Sequence, residues 1–333
     1  MTEQNQNAQN EEYDEFITRV YEGKIKNGRL EISNQDREYP QITSLRFLQK
    51  LDIQALYFYN DTDISIKLQS QTIKELTFDK TFEQDKLNLN IDDLELENLE
   101  VLDLHDNNLE NVQLYNLAKF KKLNTLNVSR NRVDLTHIHC LISLTKLSMQ
   151  KCGLKNIDQI SLLLNLKDLN LSQNILENQQ LNNNLFKLKK LQALDISDNK
   201  VDLTYIHSVK SLTHLNIQEC GLQNIDQISS LVNLEELDLS YNECIKDFNP
   251  LSKIQSLSTL QSIHKRLRLK KYQLNRLANQ FKISEFAFKL AENYRFNRLI
   301  GKSQRARYQF QLGIGHNSIE VFKRSCQFIH ALL

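Results

Sequence analysis

The feature that most constrains this chain is a segment that occurs twice. One copy begins at Leu144 and reads LTKLSMQKCGLKNIDQI; the other begins at Leu212 and reads LTHLNIQECGLQNIDQI, with 12 of 17 positions identical. The preceding segments, which begin at Lys121 and Lys189, repeat with the same offset. A duplication of this kind indicates a chain built from stacked structural units.

A shorter period runs inside the duplicated block. The pattern L-x-x-L-x-L-x-x-N recurs at nearly regular intervals, and its starts are Leu99, Leu123, Leu144, Leu166, Leu191, Leu212 and Leu234. Leu alternates with polar residues at the start of each unit, which predicts a short strand with one buried face. Farther along the unit, as from Leu154 to Leu166, apolar residues recur at every third position, which is the period of a 3₁₀ helix.

Units of this size, with alternating Leu and a fixed Asn, resemble the leucine-rich repeat family. The resemblance is clear from Ile73 to Asn242, weaker near Leu30 and Ile53, and degenerate at Leu257. The triplet spacing is similar to that of the 22-residue repeat class typified by a regulatory subunit of type-one protein phosphatase. The resemblance implies an α/β solenoid of nine or ten coils, with parallel strands on a concave side and 3₁₀ or irregular segments on the convex side.

One position after each strand carries a side chain that we interpret as structural. A buried amide there can bond the backbone of neighbouring coils, and the cysteines are interpreted as buried small residues. The residues at this position are Asn107, Asn131, Cys152, Asn174, Asn199, Cys220 and Asn242. A shared metal or a disulfide between Cys152 and Cys220 is not expected, because strands stack at about 4.8 Å and three coils separate the two thiols by roughly 14 Å.

The two ends of the chain differ from the repeats. Residues 1–10 are predicted to be disordered, and the helical apolar stripe within residues 11–23 predicts an N-terminal capping helix. The solenoid is assigned to residues 24–260. The remaining residues, 261–333, have helical patterns, and from Leu260 onward the chain carries 15 Lys and Arg against three Glu. We therefore predict a basic, helical C-terminal region beside an acidic solenoid.

Sequence motifs give no indication of catalysis. The chain has no phosphate loop, no HExxH and no nucleophile elbow, so neither catalytic residues nor a metal or cofactor is predicted. Five cysteines lack the spacing of a disulfide framework, the N-terminal segment lacks the apolar core of a signal peptide, and no apolar run is long enough for a membrane span. A cytoplasmic protein is expected, with the nucleus as an alternative.

The outward side chains of the concave face are the first candidate site. In the resembling family this face usually binds another protein, and the candidate contacts here are Asp79, Asp103, His105, Arg130, Lys146, Asp168, Asp195, Asp198, His214, Glu219, Glu236, Asp238 and Tyr241. Acidic residues outnumber basic ones, and Tyr241 is the only aromatic residue assigned to the face from Glu75 onward. The predicted partner is a basic or polar protein segment. The alternative is that short polar residues simply suit crowded strands.

Charge is concentrated in two places. The denser acidic patch is predicted toward the C-terminal half of the concave face, at Asp168, Asp195, Asp198, Glu219, Glu236 and Asp238. The basic C-terminal region offers a second function, the binding of nucleic acid or an anionic surface, with candidate contacts at Lys265, Arg266, Arg268, Lys270, Lys271, Arg305 and Arg307. This region could also contact the acidic face of its own chain.

Overall fold

A computed structural model describes the greater part of the first 261 residues. The described residues are 18–33, 50–59, 67–79, 89–177, 184–204 and 206–261, together with 16, 48, 87 and 181. They fall into two compact units. The first unit takes its described residues from 1–175 and 183–191, and the second takes them from 176–182 and from 192 onward. Among the described residues, no helix is long and apolar enough to cross a membrane.

Parallel strands, one to a coil, form the main sheet of the first unit. In chain order its strands are β1 (Arg29–Ser33), β2 (Ala55–Tyr59), β3 (Leu68–Gln69), β4 (Glu75–Asp79), β5 (Leu94–Glu95), β6 (Val101–Asp103), β7 (Thr125–Asn127), β8 (Lys146–Ser148) and β9 (Asp168–Asn170). The main sheet has the order β1-β2-β4-β6-β7-β8-β9, and β3 pairs with β5 in a small second sheet. Asp103 lies beside Asn127, which lies beside Ser148, as the repeat register predicts.

The second unit continues the same pattern. Its parallel strands pair in chain order and are β10 (Ala193–Asp195), β11 (His214–Asn216), β12 (Glu236–Asp238) and β13 (Thr259–Gln261). The described part of the chain therefore contains seven main-sheet strands in one unit and four in the other, more than the nine or ten coils expected. The expected number of coils was too low because the weak repeats near Leu30 and Ile53 and the degenerate repeat at Leu257 each provide a strand.

Most of the described return segments contain 3₁₀ helices, which confirms the structure predicted from the triplet spacing; the return between β7 and β8 is formed by turns. They span Ile91–Asp93, Asn111–Leu114, Leu117–Lys119, Asp158–Leu162, Leu185–Lys187, Ile206–Ser208, Asp226–Ser230 and Asn249–Lys253. The apolar residues at every third position, such as Ile157, Ile160 and Leu163, are fully buried. The duplicated block repeats its backbone as well as its sequence, since Ile157 has φ −129° and ψ 24° and Ile225 has φ −131° and ψ 25°.

Buried asparagine side chains join consecutive coils. Asn131 is 3% exposed, and its Oδ1 accepts hydrogen bonds from the backbone N–H groups of Asn107 at 3.1 Å and Leu109 at 2.8 Å. Its Nδ2 donates to the carbonyl oxygens of Leu104 and Val128, at 2.8 and 2.9 Å. A single amide thus satisfies backbone groups of two coils that no strand pairing reaches.

The same arrangement recurs along the chain. Asn174 accepts from the backbone of Cys152 and Leu154, each at 3.0 Å. Asn199 accepts from Leu176 at 3.2 Å, and Asn107 donates to the carbonyl oxygen of Phe78 at 2.8 Å. We call this set of buried side chains the asparagine ladder, and its members are Asn107, Asn131, Asn174, Asn199 and Asn242.

Two cysteines take the place of asparagine in the ladder. The Cys152 thiol donates to the carbonyl oxygen of Val128 at 3.3 Å, and the Cys220 thiol donates to that of Ile196 at 3.4 Å. Burial raises the pKa of Cys152 to about 11 and that of Cys220 to about 12. Both thiols therefore stay protonated at neutral pH, which suits a hydrogen-bond donor and not a metal ligand or nucleophile.

The predicted ends of the chain are described only in part. Residues 16 and 18–22 are helical, and Tyr21 is 2% exposed. These residues lie inside the predicted capping helix, 11–23, but a capping role for that helix remains a prediction. The predicted disordered segment 1–10 lies outside the described residues, as does the basic region beyond Gln261.

The asparagine ladder predicts a large difference between two asparagines of the second unit. Asn242→Ala removes the acceptor of the Cys220 and Leu222 N–H groups, each bonded at 3.1 Å, and should lower the free energy of unfolding by about 1 to 3 kcal/mol. Asn233→Ala removes an exposed hydrogen bond to the carbonyl oxygen of Lys210 and should cost less than about 1 kcal/mol. Chemical denaturation measures both, and equal losses would contradict the role of the ladder.

Candidate partner-binding face

The predicted contact residues lie on one surface of each unit, which we call the strand face. It consists of the outward side chains of the main-sheet strands and the three residues that follow each strand. Along each strand these side chains alternate with buried leucines, as Asp168 and Asn170 flank Leu169. The first unit carries Asp79, Asp103, His105, Arg130, Lys146 and Asp168; the second carries Asp195, Asp198, His214, Glu219, Glu236, Asp238 and Tyr241.

Aspartate and asparagine side chains of the strand face also hold the turn that ends each strand. Asn170 Oδ1 accepts a hydrogen bond from the Ser172 N–H at 2.9 Å and from its hydroxyl at 2.7 Å. Asp195 Oδ1 makes the same two bonds to Ser197, at 3.0 and 2.7 Å. These are Asx turns. This turn-holding role was not predicted from the sequence. An Asp or Asn two residues before Ser at the end of a strand would have indicated it.

One coil replaces the Asx turn with a bond between coils. Ser148 stands at the Asx position of β8, and its side chain is shorter than that of Asn. The Ser129 hydroxyl of the preceding coil lies 2.7 Å from the Ser148 hydroxyl and accepts a hydrogen bond from the Gln150 N–H at 3.2 Å. The turn therefore keeps a side-chain acceptor for its backbone N–H.

The third residue after each of the strands β6 to β12 has a left-handed backbone. The φ angles at this position are 54–59°, and its residues are Asp106, Arg130, Lys151, Gln173, Asp198, Glu219 and Tyr241. Non-glycine residues adopt this conformation at a cost of about 1 to 2 kcal/mol. Hydrogen bonds to the next coil offset that cost: the Arg130 N–H donates to Gln150 at 2.7 Å, and the Glu219 N–H donates to Ser240 at 2.9 Å. The backbone is fixed by these bonds, while the side chains are exposed to a partner.

Charges on the first unit are partly compensated. Lys146 Nζ lies 2.7 Å from Asp168 Oδ2, and both side chains are well exposed. Such a pair contributes little to stability, but it neutralises Asp168. Asp168 belongs to the first unit, while Asp195 and the other acidic residues of the predicted patch belong to the second. A single acidic patch that includes Asp168 stays a prediction.

The strand face of the second unit is strongly acidic. Residues 193–198, 214–219 and 236–241 include five carboxylates and neither Lys nor Arg, and the carboxylates are Asp195, Asp198, Glu219, Glu236 and Asp238. Tyr241 is 51% exposed beside them. His214 Nε2 lies 3.8 Å from Glu236 Oε1. Like charges on neighbouring strands repel one another, so a cationic partner would stabilise this surface.

The first unit contains an aspartate–histidine pair. Asp103 Oδ1 lies 2.9 Å from His105 Nδ1 and accepts the His105 backbone N–H at 3.0 Å, while Asn127 donates to Oδ2 at 3.1 Å. Burial opposes the charged form of Asp103, but these hydrogen bonds outweigh it and lower its pKa. The hydrogen bond to Asp103 raises the pKa of His105 against partial desolvation, and the charges of Asp79 and Asp106 add to the increase.

Two aromatic residues of the strand face were not predicted from the sequence. Tyr57 and Tyr59 are outward residues of β2, and they alternate with the buried Leu56 and Phe58. The assignment of outward residues began at Glu75, so Tyr241 appeared to be the only aromatic residue of the face, which is wrong. The period-two pattern in ALYFY was the available signal, but the repeat near Ile53 matches the consensus weakly.

The aspartate–histidine pair predicts a shift in titration. Asp103→Asn removes the charge that favours the imidazolium form, so the pKa of His105 should fall, whereas Asp168→Asn, three strands away, should leave it nearly unchanged. NMR titration of the His105 ring measures both. Because the folded-state pKa of His105 is raised, its stabilisation is complete below the unfolded-state pKa and is lost as the pH rises through the folded value. The pKa of Asp103 is lowered, so its stabilisation is complete above the unfolded-state pKa and is lost as the pH falls through the folded value. An unchanged His105 pKa in Asp103→Asn would contradict the pairing.

Comparisons with known proteins agree with the coil structure. Residues 210–260 match the family model described as Leucine Rich repeats (2 copies). The adenylate cyclase of Schizosaccharomyces pombe is 32% identical over 231 residues, which are 66% of this chain and 13% of that protein. The transforming growth factor beta activator LRRC33 of Danio rerio is 30% identical over 191 residues, 54% of this chain and 26% of that protein. The chain thus spans about a quarter or less of these two relatives.

A solved structure shows the same fold. The leucine-rich repeat protein of Leptospira interrogans matches 74% of this chain with 69% of its own, at a TM-score of 0.51 and 22% identity. Its likeness concerns the fold alone. The match of residues 210–260 to the leucine-rich repeat model agrees with the strand–3₁₀ coils and the asparagine ladder seen in the described residues.

Proposed function

We propose that this chain is a non-catalytic scaffold that binds a basic or polar protein segment through its strand face. The observation that carries the proposal is the second unit, where five carboxylates share the strand face with an exposed tyrosine and with neither Lys nor Arg. Stacked leucine-rich repeats generally present extended surfaces to protein partners. The relative from Danio rerio is named as an activator of a protein, transforming growth factor beta.

The acidic residues of the second unit divide into two roles. Asp195 is partly buried, and its carboxylate is already bonded to Ser197 through Oδ1 and to Asn216 through Oδ2, the latter at 3.0 Å. Asp198, Glu219 and Glu236 are exposed. We propose that the exposed carboxylates contact the partner, while Asp195 and Asp238 fix the strand ends and add to the negative potential. A surface held in place before binding loses less conformational entropy in the complex.

Enzymatic activity is not part of this proposal. The adenylate cyclase of Schizosaccharomyces pombe is named as an enzyme, but this chain corresponds to 13% of that protein. The strand face instead combines fixed turns with outward carboxylates. This geometry supports recognition of a cation.

Charge removal that preserves the turns tests the proposal. The combined variant Asp195→Asn, Asp198→Asn, Glu236→Gln and Asp238→Asn keeps the side-chain oxygens that accept turn N–H groups. Asp195→Asn also replaces the oxygen that accepts the Asn216 amide, so the free energy of unfolding should fall by no more than about 1 kcal/mol. Association with a protein captured by the native chain should slow by about tenfold or more at low salt, because steering by charge is lost. Stopped-flow measurements of the association rate at low and high salt would show this.

A pair of variants at Asp195 separates the loss of the turn from the loss of the charge. Asp195→Ala removes the acceptors of the Ser197 N–H and the Asn216 amide and should destabilise the chain by about 1 to 3 kcal/mol, while Asp195→Asn keeps the turn acceptor and should cost less. If the four-residue charge variant binds the captured protein as rapidly as the native chain at low salt, the acidic face is only a solvated surface and the proposal is wrong.

The basic C-terminal region remains the source of the alternative function. Its candidate contacts lie beyond Gln261, outside the described residues, so binding of nucleic acid or an anionic surface stays a prediction from charge alone. A salt titration separates the two functions. Affinity for nucleic acid falls steeply with salt as phosphate counterions are released, while a mixed protein interface responds weakly.

The cellular compartment is likewise a proposal. We propose that the chain acts in the cytoplasm or the nucleus, which is supported by four free cysteines among the described residues: exposed Cys140 and Cys244, and buried Cys152 and Cys220. Exposed thiols suit a reducing compartment.

We also propose membership of the 22-residue repeat class, which is supported by the 3₁₀ return segments and by the regular spacing of the repeat starts.

A further inference from the structure

An aromatic surface covers the first two coils of the strand face. Tyr57 and Tyr59 both project from β2; Tyr57 pairs with Glu31 of β1 on one side and Thr77 of β4 on the other. Tyr59 pairs with Asp79 of β4. Both rings are partly exposed. Neither residue contributes to the ladder or to the Asx turns, so the coil structure alone does not explain them.

These tyrosines already hold one guanidinium group. The Arg29 guanidinium carbon lies 3.5 Å from the centre of the Tyr57 ring, and Nη2 donates to the Tyr59 hydroxyl at 3.1 Å. The same guanidinium pairs with Glu31 Oε1 at 2.9 Å. The rings of Tyr57 and Tyr59 are nearly parallel, at 17°, with centres 6.4 Å apart. The face of the Tyr57 ring and the hydroxyl of Tyr59 therefore accept an arginine within this chain.

Buried aromatic residues on the opposite side of the sheet support the two tyrosines. Phe58 and Phe78 stack at 5.1 Å between ring centres directly behind the tyrosines, and they are 3% and 2% exposed. The Tyr57 hydroxyl also donates to Glu75 Oε2 at 3.4 Å. Rigid tyrosines on a packed floor lose little side-chain entropy on binding, which is typical of residues that dominate the energy of protein interfaces.

The charges around the rings define the partner. The described outward side chains of β1, β2 and β4 include three carboxylates, Glu31, Glu75 and Asp79, and one basic residue, Arg29. Arg29 is paired with Glu31, so Glu75 and Asp79 leave these described side chains with a net negative charge beside partly exposed aromatic rings. A cation with a flat face satisfies both features, because it stacks on a ring and bonds a carboxylate. A lysine ammonium can bond the carboxylate but stacks less well.

We propose that Tyr59 and Asp79, supported by Tyr57 and Glu75, form an anchor site for an arginine side chain of a protein partner. The inference rests on the proposed function. It specifies which coils bind the partner and which residue type of the partner they recognise. Tyr59 and Asp79 are register partners on adjacent strands, which lie about 4.8 Å apart. A guanidinium over the Tyr59 ring therefore comes within bonding reach of the Asp79 carboxylate.

Labelled peptides bound to the full chain test the anchor site. The probes are a fluorescent decapeptide of alternating Arg and Ser and its counterpart of alternating Lys and Ser, measured by fluorescence anisotropy. The arginine peptide should bind more tightly. Tyr59→Leu should weaken it about fivefold and abolish the preference over the lysine peptide, and Asp79→Asn should weaken both peptides about threefold at low salt.

A matched variant controls for the loss of an exposed tyrosine. Tyr115 is 60% exposed and follows the return helix Asn111–Leu114, away from the strand face. Tyr115→Leu should leave both peptide affinities unchanged, and thermal unfolding of each variant confirms that it is folded. Equal effects of Tyr59→Leu and Tyr115→Leu, or equal affinities for the two peptides, would overturn the anchor site. Tighter binding of a fluorescent oligouridine, weakened by Tyr59→Leu, would overturn a protein partner.

The chain's own basic region is the remaining competitor. If the surface is occupied by that region, replacing Lys265, Arg266, Arg268, Lys270 and Lys271 with Gln should strengthen peptide binding several-fold, and this result would overturn a separate partner. The outcome is also distinguishable from the proposed function. Loss of a captured protein in the four-residue charge variant of the second unit, with no loss in Tyr59→Leu, would leave the scaffold function standing and exclude the anchor.

Discussion

The buried amide between coils is the interaction on which this structure depends. Each coil has one short strand, so most of its backbone groups lack a partner in the sheet. Asn131 and Asn242 supply bonds for these groups in their own coil and in the preceding one. Because an unpaired buried backbone group costs about 1 to 3 kcal/mol, the position tolerates few side chains, and Cys152 and Cys220 serve there as donors only.

The bonds that hold the coils also determine which side chains of the strand face are available. Because the ladder and the buried leucines hold the coils, the outward side chains of the strands are available to a partner. Asp195 and Asn170 nevertheless remain tied to the turns that follow them. Charge at these positions can vary between Asp and Asn without loss of the turn, which is how an acidic face and a neutral one can arise on the same backbone. The exposed left-handed positions, such as Glu219 and Tyr241, are constrained in backbone but not in side-chain chemistry.

Sequence reasoning succeeded where a side chain's role follows from its place in a short period. The inward leucines, the ladder residues and the 3₁₀ segments could be predicted because they recur from coil to coil. It failed where the role depends on neighbours one coil away. The pairing of Lys146 with Asp168 requires the register between coils, and the roles of Tyr57 and Tyr59 require Arg29, which belongs to the preceding coil. The Asx turns were missed because Asp and Asn were considered only for charge and solubility.

Hydrogen exchange of the native chain tests the central claim most directly. The Leu154 and Leu222 N–H groups donate to side-chain oxygens of the ladder, at 3.0 and 3.1 Å, and lie outside the strands. If the ladder joins the coils, these amides should exchange as slowly as the strand amides of Leu147 and Leu215. Exchange of Leu154 and Leu222 at rates typical of exposed turns, with the strand amides still protected, would show that the strands alone hold the coils together.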